Sequence, residues 1–215
     1  MGVSVKFTKR TILLHGGQEM HILAPEEVSP YAAAVAGDDA RGVHQLIGNC
    51  AGFVWLEEIF AQAAALRENE VLHVPLAFAH GDALVGCNYT YLSGFVCMNY
   101  CAARFSVKET AAALKAKPLR EQYVEREAEK PYADWKWHGE KPWLLYRNLT
   151  VRPQGNLLCI STNGRQFQSL ARACKDIADS GDDPDSWAHE HFDWEENTSK
   201  SVGLDLRYWY MGLNE

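Results

Sequence analysis

Two histidines and an aspartate alternate near the end of the chain, in the sequence WAHEHFDWEEN at residues 187–197. In a β-strand, His189, His191 and Asp193 would share one face, because the side chains of a strand alternate between its two faces. Two imidazoles and a carboxylate on one face can bind a transition metal such as zinc. The same groups can instead hydrogen-bond or pair across neighbouring strands and hold the sheet together.

The spacing H-x-H-x-D is similar to the H-x-H-x-D-H signature of metallo-β-lactamase-type hydrolases, but Trp194 stands where that signature has its last histidine. No histidine or cysteine follows Asp193. Further ligands would have to come from upstream residues such as His15, His21, His73 or His80. The chain also has no G-x-S-x-G elbow and no P-loop. We therefore predict no catalytic residue, no metal and no cofactor, and keep a metal-dependent hydrolase as the alternative function.

Acidic residues are concentrated around the same stretch. Nine of the 28 Asp and Glu residues lie in residues 176–199, a window without Lys or Arg, which leaves 19 acids against 21 bases elsewhere. A local negative field attracts a basic partner or a cation. The plainer alternative is a solvated loop that aids solubility. The net charge of −7 argues against nucleic acid as the main partner.

We predict that this window is a partner-binding surface. Trp187 and Trp194 lie among the acids, and tryptophan is a favoured anchor at the centres of protein interfaces. The predicted partner-binding residues are Asp182, Asp183, Asp185, Trp187, Glu190, Trp194, Glu195 and Glu196. His189, His191 and Asp193 are then expected to hold the strand in place.

The sequence predicts a cytoplasmic protein without a signal peptide or a membrane span. The first residues contain only a three-residue apolar run, Ile12–Leu14, before Gly16, which is too short for a signal peptide. Residues 83–103 are uncharged, but their Asn and Gly content favours a buried strand pair. Six cysteines without a secretion signal are expected to be reduced thiols.

Hydrophobic periodicity predicts the elements of the first 130 residues. Strands are expected at residues 3–8, 10–15, 19–24 and 71–78, and one or two more at 83–100 with a turn at Ser93–Gly94. Helices are expected for part of 29–49, for 52–70, from a capping box at Ser106 and Glu109, and for 119–130.

The last third of the chain predicts the order ββαββ. Strands are expected at 143–151, 157–162, 187–194 and 203–211, with a turn at 152–156 and a helix at 164–180. This order favours an α+β fold with mixed or antiparallel sheets and packed helices. We predict an N-terminal α+β subdomain at 1–130, an aromatic connector at 131–143 and a C-terminal ββαββ subdomain at 144–215. One continuous domain is the alternative.

The C-terminal pattern resembles small domains of bacterial polymorphic-toxin immunity proteins. The resemblance covers residues 157–209 and combines a strand, an Asn-led helix, a proline loop, H-x-H-x-D and a final strand. The matching residues are Asn163, Leu170, Ala171, Pro184, His189, His191, Asp193, Ser201, Leu204 and Leu206.

This resemblance implies a non-catalytic protein that neutralises a cognate toxin domain by direct binding in the cytoplasm. Many toxin domains that act on nucleic acids are basic, so an acidic, aromatic-bearing surface would speed their capture. A scaffold or adaptor of a bacterial secretion system is a further alternative. The sequence leaves the oligomeric state open.

Overall fold

The computed structural model describes residues 3–37, 44–77, 89–102, 104–130, 149–181, 188–192 and 203–209. These ranges contain twelve strands and three helices. The strands are β1 Val3–Leu13, β2 Glu19–Pro25, β3 Ala32–Gly37, β4 His44–Gly48, β5 Glu70–Pro75, β6 Tyr89–Leu92, β7 Gly94–Asn99, β8 Arg120–Ala128, β9 Thr150–Gln154, β10 Leu157–Thr162, β11 His189–Phe192 and β12 Leu204–Tyr208. The helices are α1 Cys50–Ala64, α2 Val107–Lys115 and α3 Gly164–Asp179.

The strands form two mixed sheets with packed helices, which confirms the predicted α+β class. The seven-stranded sheet has the order β8-β1-β2-β5-β7-β10-β9, with parallel pairs β2–β5 and β7–β10. The five-stranded sheet has the order β11-β12-β4-β3-β6, with the parallel pair β4–β12. Each parallel pair needs a long connection, because a hairpin can join only antiparallel strands.

Helices α1 and α3 lie between the two sheets and fill the main core. Both helices contribute fully buried aromatic and aliphatic side chains, and strands of both sheets line the same cluster. The Phe60 ring of α1 is at the centre, 6.0 Å from the Phe95 ring of β7 and 6.3 Å from the Phe167 ring of α3. The burial of these apolar surfaces is the dominant favourable contribution to folding.

The second face of each sheet carries its own small apolar cluster. On the seven-stranded sheet, α2 and the residues before it pack over Ile12, Met20 and Val96. On the five-stranded sheet, Val35 and Ile47 are buried beside Tyr91 and Trp209. No helix in the described ranges is long and apolar enough to cross a membrane.

Polar side chains begin all three helices. Asn49 accepts a hydrogen bond from the Gly52 backbone N–H at the start of α1, and Asn163 does the same for Gln166 at the start of α3. The predicted capping box at Ser106 and Glu109 is confirmed at α2. These caps satisfy backbone donors that have no partner within the helix. The helix predicted at 52–70 begins two residues earlier, at Cys50, and ends at Ala64, and Glu70 already belongs to β5.

The predicted helix within residues 29–49 is wrong. The segment contains the antiparallel strands β3 and β4 instead. Its alanines favour a helix in isolation, but Ala32 and Ala34 are fully buried against α1. Gly52 of α1 lies so close that an added Cβ would be 2.1 Å from the Tyr31 carbonyl oxygen. Small residues are needed on both sides of this contact, so packing overrides helix propensity.

The predicted helix at residues 119–130 is also wrong, because strand β8 occupies Arg120–Ala128. Phe7 of β1 pairs with Val124, so Val124, Arg126 and Ala128 face the core, and the residues between them face outward. Arg126 hides this alternation in the sequence. Its charged guanidinium is buried because it forms an ion pair with the buried Glu70, with 2.7 Å between Arg126 Nη1 and Glu70 Oε2.

Three smaller predictions need correction. The strands predicted at 3–8 and 10–15 are parts of one continuous strand, β1, which ends at Leu13. The segment around Ser93–Gly94 is not a hairpin turn, because β6 belongs to the five-stranded sheet and β7 to the seven-stranded sheet. The predicted turn at 152–156 begins later, since β9 runs through Pro153 to Gln154 and only then turns at Gly155, whose φ is 60°. Proline is tolerated there because β9 is an edge strand.

The order ββαββ of the last third is confirmed, but its strands do not share one sheet. Strands β9 and β10 belong to the seven-stranded sheet, and β11 and β12 to the five-stranded sheet. Both sheets therefore contain strands from either side of the predicted connector. The connector itself, 131–143, lies outside the described residues, and the subdomain boundaries stay a prediction.

Candidate functional site

Most of the predicted partner-binding surface lies outside the described residues. This applies to Asp182, Asp183, Asp185, Trp187, Trp194, Glu195 and Glu196. Glu190 belongs to β11, where its backbone pairs with Leu206 of β12. The expected role of these residues as a binding surface therefore stays a prediction.

The two histidines of the H-x-H-x-D stretch lie in strand β11, at the edge of the five-stranded sheet. His189 pairs with Arg207 of β12, and His191 pairs with Asp205. The Asp205 side chain is buried, whereas His189 is exposed. Asp193 lies outside the described residues, which contain no group of three or more His, Cys, Asp or Glu side chains placed to hold a metal ion.

A surface groove lies between α1 and the paired strands β1 and β8. It consists of two adjoining clefts of about 540 and about 170 Å³, which share Lys6 and Glu125. The residues that line this groove, called the β1–β8 groove below, are Ser4, Val5, Lys6, Glu26, Glu27, Trp55, Glu58, Ile59, Tyr123, Val124 and Glu125.

The groove forms where β2 leaves β1. The pairing of the two strands ends at Phe7 and Pro25, although the Glu26 N–H still donates to the Lys6 carbonyl at 3.0 Å. The first residues of β1 therefore have β8 on one side and the start of α1 near the other. Val5 and Ile59 form an apolar floor, and charged side chains form the walls.

Two hydrogen bonds fix the walls of the groove. The Trp55 Nε1–H donates to the Glu27 carbonyl at 3.3 Å, which ties the indole of α1 to the chain that follows β2. The Ser4 hydroxyl donates to Glu125 Oε1 at 2.6 Å, which orients that carboxylate across from β1. The groove thus holds an aromatic ring and carboxylates in defined positions.

Negative charge dominates the groove. Its lining contains four carboxylates, Glu26, Glu27, Glu58 and Glu125, against the single ammonium of Lys6. Burial raises the pKa of the Glu58 carboxyl above its ordinary value, Lys130 partly opposes this, and Glu57 and Glu27 raise the pKa further. A carboxylate in this position is stabilised by any cation that enters the groove.

A second polar cluster surrounds Glu70 of the seven-stranded sheet, and it differs from the groove because its carboxylate is already paired with cations. Glu70 of β5 is buried and contacts Arg126 Nη1 at 2.7 Å, Lys9 Nζ at 3.3 Å and the Arg67 backbone N–H at 2.8 Å. Burial acts to raise the pKa of Glu70, but the Arg67 hydrogen bond and the Arg126 charge together lower it. The Arg126 guanidinium also donates to the Ala65 carbonyl at 2.8 Å. Because its charges are mutually satisfied, this cluster ties β1, β5, β8 and α1 together.

Trp55, Tyr123 and the carboxylates of the groove did not emerge from the sequence as candidate residues. The prediction of a helix at 119–130 separated Tyr123 from Glu125, whereas in β8 they lie on one face. The alternation of Tyr123, Glu125 and Glu127 with less exposed residues is a property of the folded β8. The sequence conceals it, because the charged Arg126 stands at one of the inward positions. The proximity of α1 depends on tertiary packing, for which the sequence carries no local signal.

No family model, no curated protein and no solved structure matches this chain.

Proposed function

We propose that the chain is a non-catalytic binding protein that neutralises a basic partner, as an immunity protein neutralises its cognate bacterial toxin domain in the cytoplasm. The observation that carries this proposal is the β1–β8 groove, in which carboxylates surround Trp55 at the surface of a rigid sheet. The acidic window at 176–199 adds to the negative charge of the chain.

The chemistry of the groove suits a basic side chain from another protein. The charged end of a lysine or arginine would lie among Glu27, Glu58 and Glu125, and its aliphatic stem would contact Val5 and Ile59. The Trp55 indole can add a cation–π contact. Complementary charge of this kind raises the rate of association and selects against acidic partners.

The sheet gives this groove the rigidity that tight binding needs. Strand β1 is paired with both β2 and β8 over Phe7–Thr11, and its first residues, which line the groove, are paired with β8 alone. Glu70, Arg126 and Lys9 fasten β1 to α1 and β5. A surface that is already ordered loses little conformational entropy on binding.

Growth rescue tests the proposal. The neighbouring genes are read first, and the chain is co-expressed with a basic toxin domain that an adjacent gene encodes. Survival is compared between the wild type and the double variant Glu27→Gln, Glu58→Gln. We expect the wild type to protect the cells and the double variant to protect them less, because two charges of the groove are lost. The matched control is Glu68→Gln, which removes an exposed carboxylate from the turn before β5.

Protection that is equal in the wild type and in the groove variant would assign binding to another surface. Two results would contradict neutralisation by binding. One is that the chain protects the cells by a catalytic reaction on the toxin or on its substrate. The other is that the toxin stays active while it is bound to the chain in a stable complex.

A further inference from the structure

Strand β8 is an edge of the seven-stranded sheet. It pairs with β1 on one side, and within the described residues no strand pairs with its other side. In an antiparallel pair, alternate residues direct their N–H and C=O groups to the partner, and the others direct them away. Roughly half of the backbone groups of β8 therefore face outward and are able to accept another strand.

The second half of this edge is already engaged. The Gln62 side chain of α1 donates to the Arg126 carbonyl at 3.0 Å, and the Arg126 side chain is held by Glu70 and the Ala65 carbonyl. The available part of the edge is therefore the first half, from Arg120 to Glu125.

Exposed apolar side chains gather at this same half. Five large hydrophobic residues are well exposed in the described ranges, and two of them, Leu119 and Tyr123, lie at or beside the open half of β8. A third, Leu13, lies at the end of β1, on the opposite face of the sheet from Tyr123. Tyr123 is the most exposed of the five, at 78%. The Leu119 N–H donates to the Thr11 carbonyl, so Leu119 is held next to β1 just before β8 begins. Exposed apolar groups next to unpaired backbone groups are typical of a docking edge.

The outward column of β8 determines which strand can join it. Phe7 is in the core and pairs with Val124, so Glu121, Tyr123, Glu125 and Glu127 form the column on the opposite face of the sheet. Side chains directly opposite each other on neighbouring strands interact, and like charges there are destabilising. On the β1 side, Arg10 and Lys6 already lie directly opposite Glu121 and Glu125. A joining strand with Lys or Arg at every second position would place each of these carboxylates between two cations, whereas an acidic strand would place like charges opposite each other.

The same column disfavours two of the registers in which a second copy of this chain could pair with β8. When two identical strands pair about a two-fold axis, residues of the outward column face residues of the same column. Pairing centred on Val124 would bring Glu121 of one copy opposite Glu127 of the other, and pairing centred on Tyr123 would bring Glu121 opposite Glu125. Each of these two registers opposes carboxylates. Pairing centred on Gln122 would instead bring Glu121 opposite Tyr123, so dimerisation through that register is an outcome that the test has to distinguish.

We propose that the free edge of β8 binds an extended segment of the partner, with basic residues alternating with small apolar ones, as an added strand of the seven-stranded sheet. This inference rests on the proposed function, because it specifies how the basic partner is held. The added strand would pair with Arg120–Glu125 through its backbone, and its basic column would lie against Glu121 and Glu125. The β1–β8 groove begins at Glu125, so the strand would lead a basic side chain towards it.

A peptide of alternating Lys and Val residues, as long as β8, provides the test. Its binding to the full chain is measured by fluorescence anisotropy beside a second peptide with the same side chains and an N-methylated backbone. Both peptides carry the same charge, but only the first can donate backbone hydrogen bonds. We expect the first to bind at least about tenfold tighter, the factor that corresponds to the loss of one to three net hydrogen bonds.

Amide hydrogen exchange on the wild-type chain locates the peptide without any substitution. The first peptide should slow exchange in Arg120–Glu125, and Glu121→Arg should weaken its binding whereas Glu68→Arg should not. Equal binding of the two peptides overturns strand addition and leaves the acidic groove as the binding surface. No binding by either peptide, or protection of the same amides by dimerisation of the chain, also overturns it. Failure of the proposed function itself appears separately, as growth rescue that does not depend on Glu27 and Glu58.

Discussion

Two glutamates illustrate how the surroundings of one residue decide its chemistry. Glu58 lies in the β1–β8 groove, where burial outweighs the nearby Lys130 and raises the pKa of its carboxyl. Glu70 is more deeply buried, yet Arg67 and Arg126 lower its pKa. An incoming cation would stabilise the charged form of Glu58, whereas Glu70 is already paired with Arg126 and Lys9. The groove residue is therefore suited to binding, and Glu70 to stability.

His73 of β5 makes the fold sensitive to acid. Burial and the Arg10 charge lower the pKa of its imidazole from 6.5 to about 4. Between these values the unfolded chain binds a proton that the folded chain does not, so stability falls as the pH falls from 6.5 towards 4. Between about pH 7 and about pH 5, His73 should lower the unfolding free energy of the wild type by roughly 2 kcal/mol. We expect the His73→Gln variant to lose about that much less stability over the same pH range.

Denaturant unfolding at the two pH values checks this prediction. His15→Gln, in the exposed turn after β1, is the matched control and should leave the pH dependence unchanged. His21 contributes in the same direction, because burial and Lys9 lower its pKa, so some acid sensitivity should remain in the His73 variant. A pH dependence equal to that of the wild type would contradict the role of His73.

At the scale of the elements, the contact between α1 and the start of β3 sets the spacing of the core. An added Cβ at Gly52 would lie 2.1 Å from the Tyr31 carbonyl oxygen, which is backbone and cannot move aside cheaply. Helix propensity alone predicts that Gly52→Ala stabilises the chain by about 1 kcal/mol. We expect the opposite, a loss of roughly 2 kcal/mol or more in unfolding free energy, because the contact would be overpacked.

Thermal or denaturant unfolding measures the sign of this effect. Ala51→Gly at the exposed neighbouring position gives the propensity contribution by itself. A Gly52→Ala variant that is more stable than the wild type would show that α1 does not approach β3 as closely as described.

The elements with local signals were predicted well from the sequence. The helices α1, α2 and α3 combine apolar periodicity with caps at Asn49, Ser106 and Asn163, and both signals are local. Strands β3 and β8 were missed for different physical reasons. The alanines of β3 are small because α1 needs the space, and the alternation of β8 is masked by the buried ion pair of Arg126.

At the scale of the whole molecule, the two sheets could not be predicted because their pairings join distant parts of the chain. His44 of β4 pairs with Leu204 of β12, and Gly94 of β7 pairs with Leu157 of β10. Alternation indicates that a segment is a strand, but it does not name the neighbouring strand. The ββαββ order was therefore predicted correctly, while the division of its strands between two sheets was not.

The candidate site shows the same limit. Local composition revealed the acidic window at 176–199, but the β1–β8 groove brings together residues from β1, α1, β8 and the segment after β2. Its charge is invisible in any single window, because Lys6, Glu27, Glu58 and Glu125 are far apart in the sequence. The two acidic regions together are consistent with the net charge of −7 and with a basic partner.

The rate of association with the toxin domain that the growth-rescue experiment identifies, measured at low and at physiological salt, tests the central claim most directly. Glu27→Gln, Glu58→Gln should slow association and reduce its salt dependence, because the groove supplies part of the attracting field. Glu68→Gln should change both quantities less. An association rate and a salt dependence that match the wild type in the groove variant would contradict a function based on this acidic groove.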